Sequence, residues 1–267
     1  MDKTTLDALE YPAVLRELSV FCVTPVGKEK AEGLTPSFDA SFIEESFIEY
    51  REAVSMLQFY GYFPISGVAD VRPLLSKQLP HGAYFLPEDI LRVKGVLLAG
   101  VLLRALLNPR FEQSHAKLFF IISGISDETA LVKAIDLVLD DKGEIKDSAS
   151  PELRRLRKEI RSVKERARTI LDSFLRDKKS KDFLQEEIVT IRDDRFVLLV
   201  KASAHTVFDG IIHGESGSGA TYFIEPMPLV EINNRLAIAR KEEKEEEIRI
   251  LKGLSRLIAE RAAPALD

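Results

Sequence analysis

The stretch SPELRRLRKEIRSVKERARTILDSFLR, residues 150–176, decides how this chain folds. Leu153, Leu156, Ile160, Val163, Ala167, Ile170 and Phe174 recur at alternating intervals of three and four residues. That is an unbroken heptad seam over three heptads, and it predicts a coiled-coil helix. Ser150 supplies an N-cap, Pro151 the first helical position, and Glu152 an acid near the positive end of the helix dipole. Continued to residue 181, the helix reaches about 45 Å at ~1.5 Å per residue. A lone long helix with a wet apolar seam is unstable, so the seam demands a partner.

Downstream, the apolar period changes from helical to alternating. Glu187–Ile191, Arg195–Ala202, Thr206–His213 and Ala220–Glu225 are rich in Val, Ile, Phe and Tyr. Turn signals separate them at Asp193-Asp194, Ser203-Ala204 and Gly214–Gly219. Four short antiparallel strands are predicted, with a bulge at Asp209-Gly210 inside the third. A second long helix runs from Pro228 to Ala262 and stops at Pro264. Leu229, Ile232, Leu236 and Ala239 continue a heptad on it. The polar run Arg240–Glu247, read as a solvated face with i,i+4 pairing, interrupts the heptad, and Ile248, Leu251, Leu254 and Ile258 resume it. Long helix out, small sheet, long helix back: the simplest packing is an antiparallel coiled coil tipped by the sheet.

Upstream, residues 1–150 read as short helices with frequent turns. Pro12 interrupts the run Leu6, Leu9, Val14, Leu15, Leu18, and Thr24-Pro25 restarts a helix that ends near Gly33. Phe42, Ile43, Phe47, Tyr50, Val54 and Leu57 form one stripe on a helix from about Asp39 to Tyr60, and this stripe is expected to be core. Pro87-Glu88-Asp89 opens a helix that runs to about Leu107. Cys22 is the single cysteine, which excludes an internal disulfide; its neighbours Phe21 and Val23 predict a packed thiol in a reducing compartment. Met1–Glu10 lacks the apolar core of a secretory signal, and Val96–Leu107 is too short to span a bilayer, so a cytoplasmic, membrane-free protein is expected.

Charge is distributed unevenly. Residues 1–150 carry 15 Lys/Arg against 22 Asp/Glu, a net of −7; residues 151–182 carry 12 against 6, a net of +6; residues 183–227 carry 3 against 7, a net of −4. One basic helix therefore lies between two acidic regions, and a sequence-independent grip on phosphates is to be sought there. Arg154, Arg155, Arg157, Lys158, Arg161, Lys164, Arg166 and Arg168 sit largely off the seam. They either solubilise the coiled coil and pair with Glu242–Glu247 or touch nucleic-acid phosphates.

No catalytic constellation is visible. Gly27-Lys28 is followed by Glu29 and lacks the upstream Gly of a P-loop. Gly214–Gly219 fits neither G-x-G-x-x-G nor G-x-S-x-G, and reads as a turn. Asp140–Glu144 is a tight turn; a calcium loop needs an acid where Val138 stands. His81, His115, His205 and His213 lie on unrelated segments without Cys or acidic partners at metal-ligand spacing.

Glu144–Leu153, Ile191-Arg192-Asp193-Asp194-Arg195-Phe196, His213 through Gly219–Pro226, and Glu231-Ile232-Asn233-Asn234 form an ordered series of motifs. With Leu6–Leu18 and Thr24-Pro25-Val26-Gly27, the series resembles the second type of bacterial MutS homologue over essentially the whole chain. The resemblance implies a mainly α fold. A helical lever domain fills residues 1–150, an outgoing coiled-coil helix 151–182, a small antiparallel β clamp tip 183–227 and a returning helix 228–267. It also implies an origin at the front of a longer protein, without the mismatch-reading and connector domains of MutS proper. In that family the region leads to a dimerising ATPase domain, which takes ATP and Mg, and to a C-terminal Smr nuclease domain. The stretch itself is expected to hold no cofactor and to be non-catalytic. Family members are associated with suppression of homologous recombination, binding of branched DNA and rescue of collided ribosomes, so DNA or ribosomal RNA is the expected partner and a homodimer the expected state of the full protein.

Because the family holds nucleic acid between paired arms and residues 151–182 are net positive, six cations are the candidate contacts. Lys178, Lys179 and Lys181 stand at the helix end, and Arg192, Arg195 and Lys201 in the sheet. The alternative is a coiled-coil adaptor that binds a protein partner and never touches nucleic acid. Either way, without a P-loop the chain should neither bind nor hydrolyse ATP. Turnover above background in rigorously purified protein would overturn this expectation.

Overall fold

A computed structural model describes residues 3–76, 79–80 and 82–262; His81 and the stop at Pro264 lie outside the described residues. The chain is mostly helical with one small four-stranded antiparallel sheet. It divides into two compact units, Met1–Lys146 with Leu251–Asp267, and Asp147–Ile250. No described helix is long and apolar enough to cross a membrane.

The first unit opens with α1 (Lys3–Ala8), α2 (Tyr11–Val20), α3 (Pro25–Glu32) and α4 (Ala40–Tyr60). It continues through α5 (Arg72–Leu75), α6 (Pro87–Arg104), α7 (Pro109–Ser114), α8 (Ala116–Ser123) and α9 (Thr129–Val138). Local chemistry sets the breaks. Glu10 turns left-handed at φ 54° just ahead of Pro12, Thr24 Oγ1 accepts the Gly27 N–H at 3.0 Å, and Asp39 caps α4 through the N–H groups of Ser41 and Phe42. α6 ends at Arg104, three residues short of the expected Leu107, where the Arg104 guanidinium reaches the carbonyls of Ser123 and Ile125. Asp140 Oδ1 accepts the N–H groups of Lys142 and Glu144, so this acidic turn caps itself.

The apolar stripe of α4 is not core. Phe42, Phe47, Tyr50 and Leu57 are exposed, whereas Met56 is fully buried with Phe111 and Ile122. The inward face is chosen by what meets α8: Glu52 accepts the Lys117 and Leu118 N–H groups at its start, and Ser55 hydrogen-bonds His115. Helical periodicity locates a stripe but cannot say whether a neighbour covers it. Cys22 likewise departs from expectation. It is half-buried, and its neighbours Phe21 and Val23 are exposed.

The second unit contains α10 (Pro151–Arg176), α11 (Lys178–Phe183), four strands, and α12 (Met227–Ala262) as far as Ile250. Ser150 Oγ accepts the Leu153 N–H at 2.9 Å and donates to Glu246 at 2.6 Å. The buried positions of α10 are Leu153, Leu156, Ile160, Val163, Ala167 and Leu171. Leu171 thus replaces the predicted Ile170, and Phe174 is only partly buried. A 3.6-residue helix drifts off a seven-residue repeat by about 20° per heptad, and by the third heptad the neighbouring residue faces in. The helix also stops earlier than residue 181. Asp177 adopts an extended conformation and caps α11 through the Ser180 N–H.

Strands β1 (Leu184–Arg192), β2 (Arg195–Lys201), β3 (Gly210–Glu215) and β4 (Thr221–Pro226) form an antiparallel sheet in the order β1-β2-β4-β3. The ladder between β1 and β2 jumps from Leu184↔Val200 to Val189↔Leu198, so four residues of β1 oppose one of β2. β3 begins at Gly210 rather than Thr206, because the chain keeps turning after the 3₁₀ turn Ala202–Ala204: the Val207 and Phe208 N–H groups donate to the Ala204 carbonyl, and Phe208 is buried in the core. Its irregularity falls between Ile212 and Gly214, not at Asp209-Gly210.

One face of the sheet shares a core with the two long helices. Leu184, Leu198, Val200 and Ile224 pack with Ile160, Val163, Ala167 and Leu171 of α10 and Leu229, Ile232, Leu236 and Ala239 of α12. Each fully buried aliphatic side chain here contributes roughly 1.5–3 kcal/mol. The pairs Ser150–Glu246, Arg157–Glu243 and Arg235–Glu159 set the two helices antiparallel.

Candidate nucleic-acid interface

At the stem of the helix pair, ion pairs lie beside the buried Leu153 and Leu156. Arg157 reaches Asp147 at 2.7 Å and Glu243 and Glu247 at 2.9 Å each. Glu246 is buried and held by Ser150 and Arg249. The hydrogen bond from Arg249 outweighs the upward push of burial and, with a lesser bond from Ser150, keeps the Glu246 carboxyl below its usual range. The polar run Arg240–Glu247 is therefore in part an inward-facing ionic joint, with Glu246 buried and Glu243 and Glu247 turned toward Arg157.

In the turn between β1 and β2, Asp193 and Asp194 take φ values of 48° and 62°. Two successive left-handed residues make the tight hairpin whose twist suits antiparallel strands. The turn sets Arg192 opposite Arg195 in the ladder and is tied to α12 by Arg240–Asp194 at 2.7 Å.

The motifs singled out in the sequence meet at Glu225, which has no solvent exposure. Its carboxylate accepts from Arg195 at 2.8 Å, from Asn233 at 2.8 Å and from His213 at 2.6 Å. Asn233 also donates to the Phe196 carbonyl and accepts its N–H, both at 3.1 Å, like an added rung of the sheet. His213 is the extra residue of the β3 irregularity, since Ile212 pairs with Ile224 and Gly214 with Phe223. The bulge turns its ring onto Glu225. Burial pushes the Glu225 carboxyl upward, but the hydrogen bonds from Asn233, His213 and Arg195 outweigh it and hold the group below its usual range. Gly210 lies so close that a Cβ would come within 2.5 Å of the Glu225 carbonyl oxygen.

Of the six cations expected to face nucleic acid, three are engaged within the unit. Arg195 is held by Glu225 and by Asn234; Lys181 pairs with Glu187 at 2.6 Å; Lys201 Nζ donates to the Asp182 carbonyl at 3.0 Å. Arg192 is exposed, with its guanidinium 5.3 Å from the centre of the Phe223 ring and a loose 3.9 Å contact to Asp193. Lys178 and Lys179 are exposed on α11. The surface set is therefore Lys178, Lys179 and Arg192. What the sequence reading missed is the role of Glu225, Asn233 and His213 as one polar cluster; the only signal was their presence in separate motifs. Among the described residues no group of three or more His, Cys, Asp or Glu could hold a metal ion.

No protein-family model matches the chain. Curated relatives do. The chain is 37% identical over 252 residues to the protein named Endonuclease MutS2 of Geobacillus kaustophilus (strain HTA426), covering 94% of this chain and 32% of that protein. It is 36% identical over 258 residues to the protein of that name from Halalkalibacterium halodurans, covering 96% and 33%. With that of Halothermothrix orenii the identity is 31% over 274 residues, covering 100% and 34%. The chain thus spans about a third of the length of the curated relatives it matches.

Proposed function

Because this chain is homologous along nearly its whole length to about a third of the proteins named Endonuclease MutS2, we propose that it is the non-catalytic lever and clamp region of a MutS-like, nucleic-acid-binding ATPase. On this reading Met1–Lys146 serves as lever, α10 and α12 as a coiled-coil arm, and the sheet as its tip. The observation that carries it is the antiparallel helix pair sharing one core with the sheet, with a net-positive outgoing helix. The role is mechanical: a jaw that closes on DNA or a ribosomal surface when the parent protein binds ATP and Mg. Homodimerisation, suppression of homologous recombination, rescue of collided ribosomes and an Smr nuclease activity would belong to that whole protein. A second reading, an adaptor for a protein partner, is favoured by the exposed Phe42, Phe47 and Tyr50 on α4, which border a groove of about 410 Å³.

Salt separates the two. Phosphate contacts release counterions, so the logarithm of the binding constant falls with that of salt by about 0.9 per contact on duplex DNA. The 267-residue chain should bind branched DNA or structured RNA at the level of non-specific binding and lose it steeply as salt rises. Lys178→Gln, Lys179→Gln and Arg192→Gln together should flatten the slope by about 3. Arg195 is left intact, since its loss would unseat Glu225. Absent or salt-indifferent binding to both nucleic acids would favour the adaptor.

A further inference from the structure

The positive charge of α10 is not spread evenly around the helix. Arg154, Lys158, Arg161, Lys164 and Arg168 follow one another at intervals of four, three, three and four residues. That recurrence places side chains along one flank of a helix with 3.6 residues per turn. All five are exposed. The last lies fourteen positions beyond the first, which makes a track of about 21 Å at ~1.5 Å per residue.

Ion pairing is distributed unevenly too. Arg155 is bound to Glu152 and Glu159, and Arg235 also reaches Glu159, so that side of the helix pair is largely neutralised. On the basic flank Arg157 is tied to Asp147, Glu243 and Glu247, and Arg161 touches Asp147 at 3.2 Å yet stays 58% exposed. Arg154, Lys158, Lys164 and Arg168 have no ion-pair partner among the described residues. Glu165 is the one acid between Arg154 and Arg168 that falls in the same row. Like charges at such spacing repel one another, at a cost that a polyanion would remove.

We infer that this flank is a second phosphate track, which holds duplex DNA by its sugar–phosphate backbone without regard to sequence. The inference rests on the nucleic-acid reading above and adds a surface to it, since none of these residues is among the six tip cations. The row contains no aromatic side chain; Phe174, the single aromatic of α10, packs into the core. Single-strand binders stack bases on aromatic platforms, which this flank lacks. The row also has no hydroxyl or amide side chain of the kind that reads an RNA 2′-OH. Long cationic side chains on a rigid helix are suited to the regular phosphates of a duplex.

The test compares three proteins by fluorescence anisotropy on a random-sequence DNA duplex at graded salt. They are the full chain, its Lys158→Gln/Lys164→Gln/Arg168→Gln variant, and a control with the same charge change, Arg16→Gln/Lys28→Gln/Lys30→Gln. The flank residues have no internal partners, so circular dichroism and melting should match the parent. The flank variant should lose about 3 from the salt slope and bind about tenfold more weakly near 50 mM salt, while the control stays within about twofold. A flank variant that binds like the parent or like the control overturns the track. So does a parent that binds single-stranded DNA or duplex RNA in preference to duplex DNA. A parent that binds no nucleic acid at all sinks the proposed function itself, which is a different and distinguishable result.

Discussion

Glu225→Ala should melt the Asp147–Ile250 unit far below the wild-type temperature. The substitution leaves the Arg195 guanidinium and the Asn233 amide without their shared acceptor in a site where Glu225 has no solvent exposure. Removing one partner of a buried charged pair costs about 3–5 kcal/mol. For a unit of this size each kcal/mol moves the midpoint by about 4–8 °C, so the shift should be about 12 °C or more. The pH dependence follows from the direction of the shift. The Glu225 carboxyl is held below the ordinary carboxyl range, so its contribution is fully present above the unfolded-state value. It is lost as the pH falls through the lower folded-state value. Wild type should therefore lose stability on acidification below about pH 4.5, the ordinary carboxyl range, and Glu225→Gln should lack this part of the loss. A midpoint for Glu225→Ala within a few degrees of wild type would mean that the cluster does not hold the sheet to α12.

Ile160→Asp should be nearly as damaging, by a different route. Ile160 is 6% exposed and shares a core with Leu229 and Leu236 of α12. An aspartate there buries a charge with no partner, at a cost of several kcal/mol. Ser162→Asp, on an exposed position of the same helix, is the control for helix propensity and charge. Helicity followed by circular dichroism and a urea midpoint should fall sharply for the first and hardly change for the second. Equal midpoints would show that the α10 seam is not an internal interface.

These two sites illustrate what could be read from residues alone. Ile160 was legible because helical spacing and the Ser150-Pro151 start are local signals, and local signals survive folding. The hairpin at Asp193-Asp194 was legible for the same reason. Glu225 was not, because its meaning depends on Arg195 and Asn233, which come together only when β2, β4 and α12 pack. Arg195 shows the complementary case. It looks like a surface cation until the structure gives it a buried acceptor. Leu171 in place of Ile170 reflects the difference between a seven-residue repeat and a 3.6-residue turn. The exposed stripe of α4 marks the limit of periodicity, which identifies an apolar face and says nothing about what covers it.

The jump in the β1 ladder has a consequence for solution behaviour. β1 is an outer strand with Ile188, Val189 and Ile191 exposed, the composition that recruits another chain's strand and seeds aggregation. Between Leu184 and Val189 the strand departs from regular pairing, and Glu186 and Glu187 stand in that interval. A strand docking along this edge would meet an irregular backbone, the Glu186 carboxylate and the Glu187–Lys181 ion pair before it reached the apolar stretch. The irregularity thus acts as a guard on the sheet's open margin, disfavouring fibril-like stacking of molecules while leaving the inner face of the sheet intact.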